Sequence, residues 1–197
     1  LSKDMKAAVL ILAAGAGRRL GQPKASVELG GRRLIDRAID TAARAGCVEV
    51  IAVTRADLVV EGARRVVNPD PDRGMASSLV LGLSAAVVSE ADCVVVMLVD
   101  QPGITAASIA AVLAPTRAGR MVFATYAGRR AHPVRIDRNL WAPIMAGAAG
   151  EIGARGFARI HPHLVDDVAS DGLADPRDVD NLADLTRWRA VLGDAIG

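Results

Sequence analysis

Residues 12 to 24 carry the densest chemistry in the chain: Leu12-Ala13-Ala14-Gly15-Ala16-Gly17-Arg18-Arg19-Leu20-Gly21-Gln22-Pro23-Lys24. Gly15 and Gly17 let a backbone turn sharply and aim its N–H groups at an anion. Arg19 and Lys24 add full positive charge, so the segment suits a nucleoside triphosphate. Lys24 stands out by type. With Lys3 and Lys6 it makes up all the lysine among 24 basic residues. A compact ammonium at position 24 is either required chemically or a surface lysine kept by chance. A second chemical position is Asp100, which closes an apolar run and precedes Gln101-Pro102. A carboxylate at a strand end can hold Mg2+, which takes oxygen ligands and shares them with phosphates. The same aspartate also fits a turn cap.

Other chemistries fit less well. A dinucleotide fingerprint needs a third small residue where Leu20 stands, and an acid about 20 residues later. Arg55 could imitate a 2′-phosphate site but lies too far along the chain. The P-loop pattern is absent, and no Ser–His or Cys–His constellation suggests nucleophilic catalysis. His161-Pro162-His163 with Asp166 and Asp167 lacks any standard zinc spacing and reads as an exposed loop.

The elements that must position these residues follow from length and pattern. The chain has 197 residues, 51% apolar and 23% charged, with a net charge of +2. This is a globular composition long enough for a sizeable core. It lacks the concentrated basic face of a nucleic-acid binder. No apolar run reaches a membrane span. Ala7 to Ala14 resembles a short signal peptide but reads better as a buried first strand. Cys47 and Cys93 read as buried thiols in a reducing, cytoplasmic setting.

Val9 to Leu12 and Cys93 to Val99 are continuous apolar runs, the pattern of central parallel strands. Further strands are expected at Val48 to Val53, Val66-Val67, Met121 to Tyr126 and His132 to Ile136. Helices are expected at Leu34 to Ala43, Met75 to Val88, Thr105 to Leu113, Asp137 to Met145, Ile152 to Ile160 and Leu182 to Leu192. Residues 161–181 read as mostly irregular. The alternation predicts one α/β domain over residues 1–197, a Rossmann-like three-layer fold with a mainly parallel sheet. In such folds ligands sit beyond the carboxyl ends of the strands, here after Leu12 and Val99.

The loop matches L-A-A-G-x-x-x-R-x-G-x-x-K, and the chain resembles the nucleotidyltransferases that carry it. From Val9 to about Leu185 it resembles, more narrowly, the molybdenum cofactor cytidylyltransferases of the molybdopterin nucleotidyltransferase group. Asp100-Gln101-Pro102 matches the group's D-Q-P. Gly74-Met75-Ala76-Ser77-Ser78-Leu79 matches G-M-x-x-S-L, and Asp178-Val179-Asp180-Asn181 resembles D-[IV]-D-[TN]. Gly128 to Val134 resembles G-x-x-G-H-P-V with Ala131 in place of glycine. Gly150 to Arg155 resembles G-D-x-G-A-R with Glu151 in place of aspartate.

The resemblance implies roles. Leu12, Ala13, Ala14, Gly15, Gly17, Arg19, Lys24, Gly74 and Ser78 would bind nucleotide. Asp100 and Asp180 would hold Mg2+, while His132 and Arg155 would meet the acceptor. Each motif keeps a plainer reading: a helix entry at Ser77-Ser78, a loop histidine at His132, a surface arginine at Arg155. Asp180 or Asn181 could simply cap the last helix.

The implied reaction is Mg2+-dependent transfer of a nucleotidyl group from CTP to the terminal phosphate of molybdopterin, releasing pyrophosphate. CTP is favoured because relatives that use guanosine tend to have glycine where Ala14 stands. Guanylyl transfer to molybdopterin or to a small phosphorylated acid is the alternative, as is a non-catalytic carrier of the pterin cofactor. A molybdoenzyme client fits either role; nucleic acid and membrane do not.

Overall fold

The computed structural model describes residues 5–114, 117–148 and 154–193. The strands are β1 (Ala7–Ala13), β2 (Glu28–Leu29), β3 (Arg32–Arg33), β4 (Glu49–Thr54), β5 (Arg64–Val67), β6 (Cys93–Leu98), β7 (Met121–Tyr126), β8 (Arg129–Asp137) and β9 (Val165–Ala169). The helices are α1 (Leu34–Arg44), α2 (Met75–Ala86), α3 (Ala106–Leu113), α4 (Trp141–Gly147), α5 (Ala154–Ile160) and α6 (Leu182–Gly193). One sheet runs β5-β4-β1-β6-β8-β7-β9, and β2 pairs with β3 in a small hairpin. β1 pairs in parallel with β4 and β6, β4 with β5, and β7 with β9. The antiparallel strand β8 sits between β6 and β7. The α/β class and the mainly parallel sheet are as expected.

The unbroken apolar run of β1 has a simple cause: both faces of the strand are covered. Val9, Ile11 and Ala13 point into one core with Leu34, Ile35 and Ile39 of α1 and Ile109 of α3. Ala8, Leu10 and Leu12 point into the other, with Leu79 and Leu83 of α2 and Trp141 of α4. Leu10, Ile11, Leu34 and Leu83 are almost wholly buried. Each stabilises the fold by about 1.5–3 kcal/mol.

The helix expectations hold to within a few residues where the chain is described. Thr105 is the cap of α3, not its first residue: its hydroxyl accepts from the Ser108 N–H. The expected helix from Asp137 is a 3-10 turn at Arg138–Leu140 followed by α4. Ile152 and the motif residues Gly150, Glu151 and Gly153 lie outside the described residues.

Two elements differ from expectation. The hairpin β2–β3 was not foreseen. The segment 161–181 is not all irregular, because Val165-Asp166-Asp167-Val168-Ala169 forms the edge strand β9. Its two aspartates disguise it. Asp166 is paired with Arg120 at 2.7 Å and Asp167 with Arg130 at 2.6 Å. His161 lies against Phe157, with ring centroids 4.4 Å apart, and His163 lies edge-on to His161 at 5.9 Å. Among the described residues no group of three or more His, Cys, Asp or Glu could hold a metal.

Buried charge is paired. Asp137 accepts from the Arg135 guanidinium at 2.7 and 3.1 Å, and from the Arg120 backbone N–H at 2.9 Å. Asp137→Ala would strand Arg135, whose side chain is 3% exposed. The expected cost is about 3–5 kcal/mol, read as a lower urea midpoint. An unchanged midpoint would show that water reaches the guanidinium. Cys93 is buried and Cys47 half-buried, both as free thiols. Burial pushes them up to about 12 and about 11. No helix among the described residues is long and apolar enough to cross a membrane.

Candidate functional site

The chain turns to one side of β1 through β4 and β5, and to the other through β6. Carboxyl-end loops therefore diverge between β1 and β6, where open α/β sheets place ligands. A cleft of about 730 Å3 opens there. Its walls are the loop after β1, the start of α2 and the ends of β6 and of the segment before α6.

Gly17 shapes the loop. It has φ +60°, and a Cβ there would lie 2.0 Å from the Gln22 carbonyl oxygen and 2.9 Å from the Lys24 nitrogen. Gly15 has no such constraint; a methyl there meets only the Lys24 stem, at 3.8 Å. Of these two glycines, the sharp turn belongs to Gly17. Gly17→Ala adds a strained backbone, costing about 1–3 kcal/mol, to a clash that cannot relax locally. Nucleotide affinity should fall at least about tenfold, measured by calorimetry, while Gly15→Ala binds within about threefold of the wild type. Equal behaviour of the two variants would refute this account of the loop.

Leu12, Ala14, Gly15, Gly17, Arg19, Lys24, Gly74, Ser78, Asp100 and Asp180 all line the cleft. Ala13 does not. Strand alternation turns it into the core, where it is fully buried. Arg19 is exposed at the rim. Arg18 reaches Asp72 at 3.5 Å, but both are largely exposed, so the pair adds little.

Lys24 is the centre of the arrangement. Its Nζ lies 2.5 Å from Asp100 Oδ2 and 2.5 Å from Asp180 Oδ1. Burial works to lower its pKa, but the two carboxylates outweigh this and raise it, so the ammonium stays charged. Asp180 reaches this position through contacts that the motif alone did not reveal. Gln101 donates its amide to the Pro176 carbonyl and to Asp178 Oδ1, at 3.0 and 2.8 Å. The Val179 N–H donates to the Asp100 carbonyl at 2.8 Å. Residues 176–180 are thereby clipped to the end of β6. Asn181, not Asp180, caps α6, accepting from the Ala183 and Asp184 N–H groups. The Asp184 carboxylate accepts from the Asp180 N–H. The Asp180 side chain is left for the cleft.

The start of α2 is held similarly. Asn68, at the end of β5, donates to Ser77 and Ser78 hydroxyls at 2.9 Å each. No side chain caps this helix, and Gly74 and Met75 at its first turn face the cleft. Its positive end favours an anion there.

A second cavity of about 240 Å3 adjoins the first, sharing Leu12, Met75 and Leu98. Both expected acceptor residues, His132 and Arg155, line it, with Leu79, Val96, Phe123 and Val134. His132 arrives through an irregularity: the β7–β8 ladder passes from Phe123–Val134 to Ala124–Ala131, skipping His132 and Pro133. Burial, with the Arg155 charge, lowers its pKa to about 4, so its ring is neutral near pH 7. Asp178 also lines this cavity, and sequence reasoning gave it no role. Burial first, then the Asp100 and Asp180 charges, push its carboxyl above the usual range. Its motif position was visible, but nothing in the motif says which cavity it faces.

Asp100 and Asp180 fit a divalent cation by donor type, since one cation already touches both carboxylates. No third protein carboxylate, histidine or cysteine completes a group among the described residues. A bound metal would need further oxygens from phosphates and water.

A family model described as the MobA-like NTP transferase domain matches residues 9–167. The chain is 36% identical over 193 residues to a protein named nicotine blue oxidoreductase from Paenarthrobacter nicotinovorans, covering 90% of this chain and 94% of that one. It is 32% identical over 99 residues to a probable molybdenum cofactor guanylyltransferase of Opitutus terrae, covering 49% of each. Its fold superposes with a TM-score of 0.77 on the manganese complex of Rv0371C from Mycobacterium tuberculosis, at 26% identity, covering 94% of this chain and 99% of that chain.

Proposed function

The chain belongs to the MobA-like NTP transferase family, and from that premise we propose that it transfers a nucleotidyl group from CTP to the terminal phosphate of molybdopterin, releasing pyrophosphate. One observation carries the reading: the cationic loop and the carboxylate pair Asp100–Asp180 meet at the cleft, and a mostly apolar cavity opens beside them. The cleft takes the nucleotide and the smaller cavity takes the acceptor.

Arg19, Lys24 and the loop N–H groups hold the triphosphate. The start of α2, with Gly74 and Ser78, contacts ribose or base. Asp100 and Asp180 hold Mg2+, which when bound supplies charge stabilisation across the reacting phosphates. The manganese complex of a protein with the same fold supports the use of a divalent ion. Arg155 and the neutral His132 orient the acceptor. The terminal phosphate attacks the α-phosphorus, that bond forms as the bond to pyrophosphate breaks, and no strong base is needed because a phosphate monoester is already anionic near pH 7. Catalysis is positioning and charge stabilisation. The choice of base rests on Ala14, which lines the cleft and whose methyl would leave less room for a purine than a glycine would.

The deciding experiment supplies α-phosphate-labelled CTP or GTP with molybdopterin, with and without Mg2+. Labelled cofactor from CTP only, and only with Mg2+, is expected. Labelling from GTP alone would overturn the base and keep the chemistry. No labelling by folded protein would favour the carrier role or another acceptor.

A second reading has one observation behind it, the oxidoreductase name of the 36% identical relative. A reductase on this scaffold would bind NADPH tightly without Mg2+. Arg55, the candidate mimic of a 2′-phosphate site, does not line the cleft, so Mg2+-dependent nucleotide binding is expected instead.

A further inference from the structure

We propose that Lys24 is a tethered counter-ion that occupies the Asp100–Asp180 pair until a nucleotide arrives, so that divalent metal and nucleotide enter the cleft together and neither binds well alone. The proposal rests on the nucleotidyltransferase reading of the cleft, but not on the identity of the acceptor.

The geometry points to this. One ammonium lies 2.5 Å from an oxygen of each carboxylate. The three side chains come from segments 76 and 156 residues apart, so no local helix or turn periodicity brings them together. The Lys24 and Asp100 side chains are only 19% and 15% exposed. The Asp180 side chain is 44% exposed, so water screens part of the repulsion, but two carboxylates within reach of one ammonium still repel if left uncompensated, most of all on the buried Asp100 side. Lys24 offsets that repulsion in the nucleotide-free protein. For the same reason it obstructs a metal: a divalent ion cannot take both carboxylates while a cation stands between them. The pair also brings too few oxygens to hold Mg2+ or Mn2+ firmly without phosphate ligands.

The lysine is built to let go. Its backbone N–H is bonded to the Gly15 carbonyl at 3.3 Å, which pins the Cα to the phosphate loop. Its stem runs past Gly15, where no side chain stands in the way. A four-carbon chain fixed at that root can swing from the carboxylates to a phosphate in the loop. Arginine, longer and planar, would not make the same exchange. A triphosphate draws the ammonium away, and the vacated carboxylates then take the metal that shares the phosphate oxygens. By linkage, each ligand strengthens the other by the same factor, of the order of 5–150-fold.

Binding measurements without turnover test this. Mn2+ binding, read by the loss of the free-ion paramagnetic resonance signal, is expected to be weak in the wild type without nucleotide. Lys24→Met should bind Mn2+ at least about tenfold tighter under the same conditions, and adding Asp100→Asn should remove that gain. In the reciprocal arm, Asp180→Asn loosens the lysine. Metal-free CTP, with chelator present, should then bind at least about fivefold tighter than to wild type. The proposal is overturned if Lys24→Met gains no Mn2+ affinity, if its gain survives Asp100→Asn, or if Asp180→Asn leaves metal-free CTP binding unchanged or weaker. The CTP arm needs no lysine variant, so a misfolded Lys24→Met leaves a decisive result. Failure to label molybdopterin would defeat the proposed acceptor while leaving both binding arms intact.

Discussion

Asp100→Asn is expected to abolish Mg2+-dependent transfer, with a loss of at least about 10^3-fold in turnover. The substitution keeps the shape of the side chain and removes its charge. The fold should survive, because the contact that clips residues 176–180 to β6 uses the Asp100 backbone carbonyl, not its side chain. The side chain's own partner is Lys24. Loss of activity with an unchanged denaturation midpoint would therefore locate the defect in the cleft. Turnover within about tenfold of the wild type would remove Asp100 from the metal site, and with it the proposed mechanism.

Lys24→Ala is expected to lower turnover by about 10^2–10^3-fold, the range seen when one preorganised charge donor is lost from an active site. Lys24 has two partners in the nucleotide-free cleft, Asp100 and Asp180, and exchanges them for phosphate oxygens when a triphosphate binds. Alanine leaves both carboxylates facing each other, so metal binding alone should not suffer; the loss should fall on the chemical step. A fall in kcat that persists at saturating CTP and Mg2+ is the expected signature. A change confined to KM for CTP would mean that Lys24 only helps to bind the ground state. Near-normal turnover in a folded variant would remove its role altogether.

Parts of this protein are legible from its residues in order. β1 and β6 are continuous apolar runs because helices cover both sheet faces. The glycine-rich loop after β1 is legible because it follows such a strand with glycines and cations, and Asp100 because a proline follows its strand. The start of α2 is legible from Gly74 to Leu79. Other parts are not. β9 carries adjacent aspartates whose charges are met by Arg120 and Arg130 of another hairpin, so local polarity conceals a strand. β2 and β3 are two residues each, too short for any period to register. Ala13 sits inside the motif and still faces the core, because alternation along β1 outranks motif membership.

The sequence by itself determined the class of fold, the family, the position of the glycine-rich loop and most residues that line the cleft. These depend on local pattern, on which residue types stand side by side. Only the tertiary structure decided which of them touch. Lys24 meets Asp180 across 156 residues because Gln101 clips the segment before α6 to the end of β6, and because Asn181 takes over the helix cap. His132 and Arg155 share a cavity because the β7–β8 ladder skips two residues. Such contacts join segments remote in the chain through hydrogen bonds whose partners carry no common signature. They emerge only when the sheet order is set.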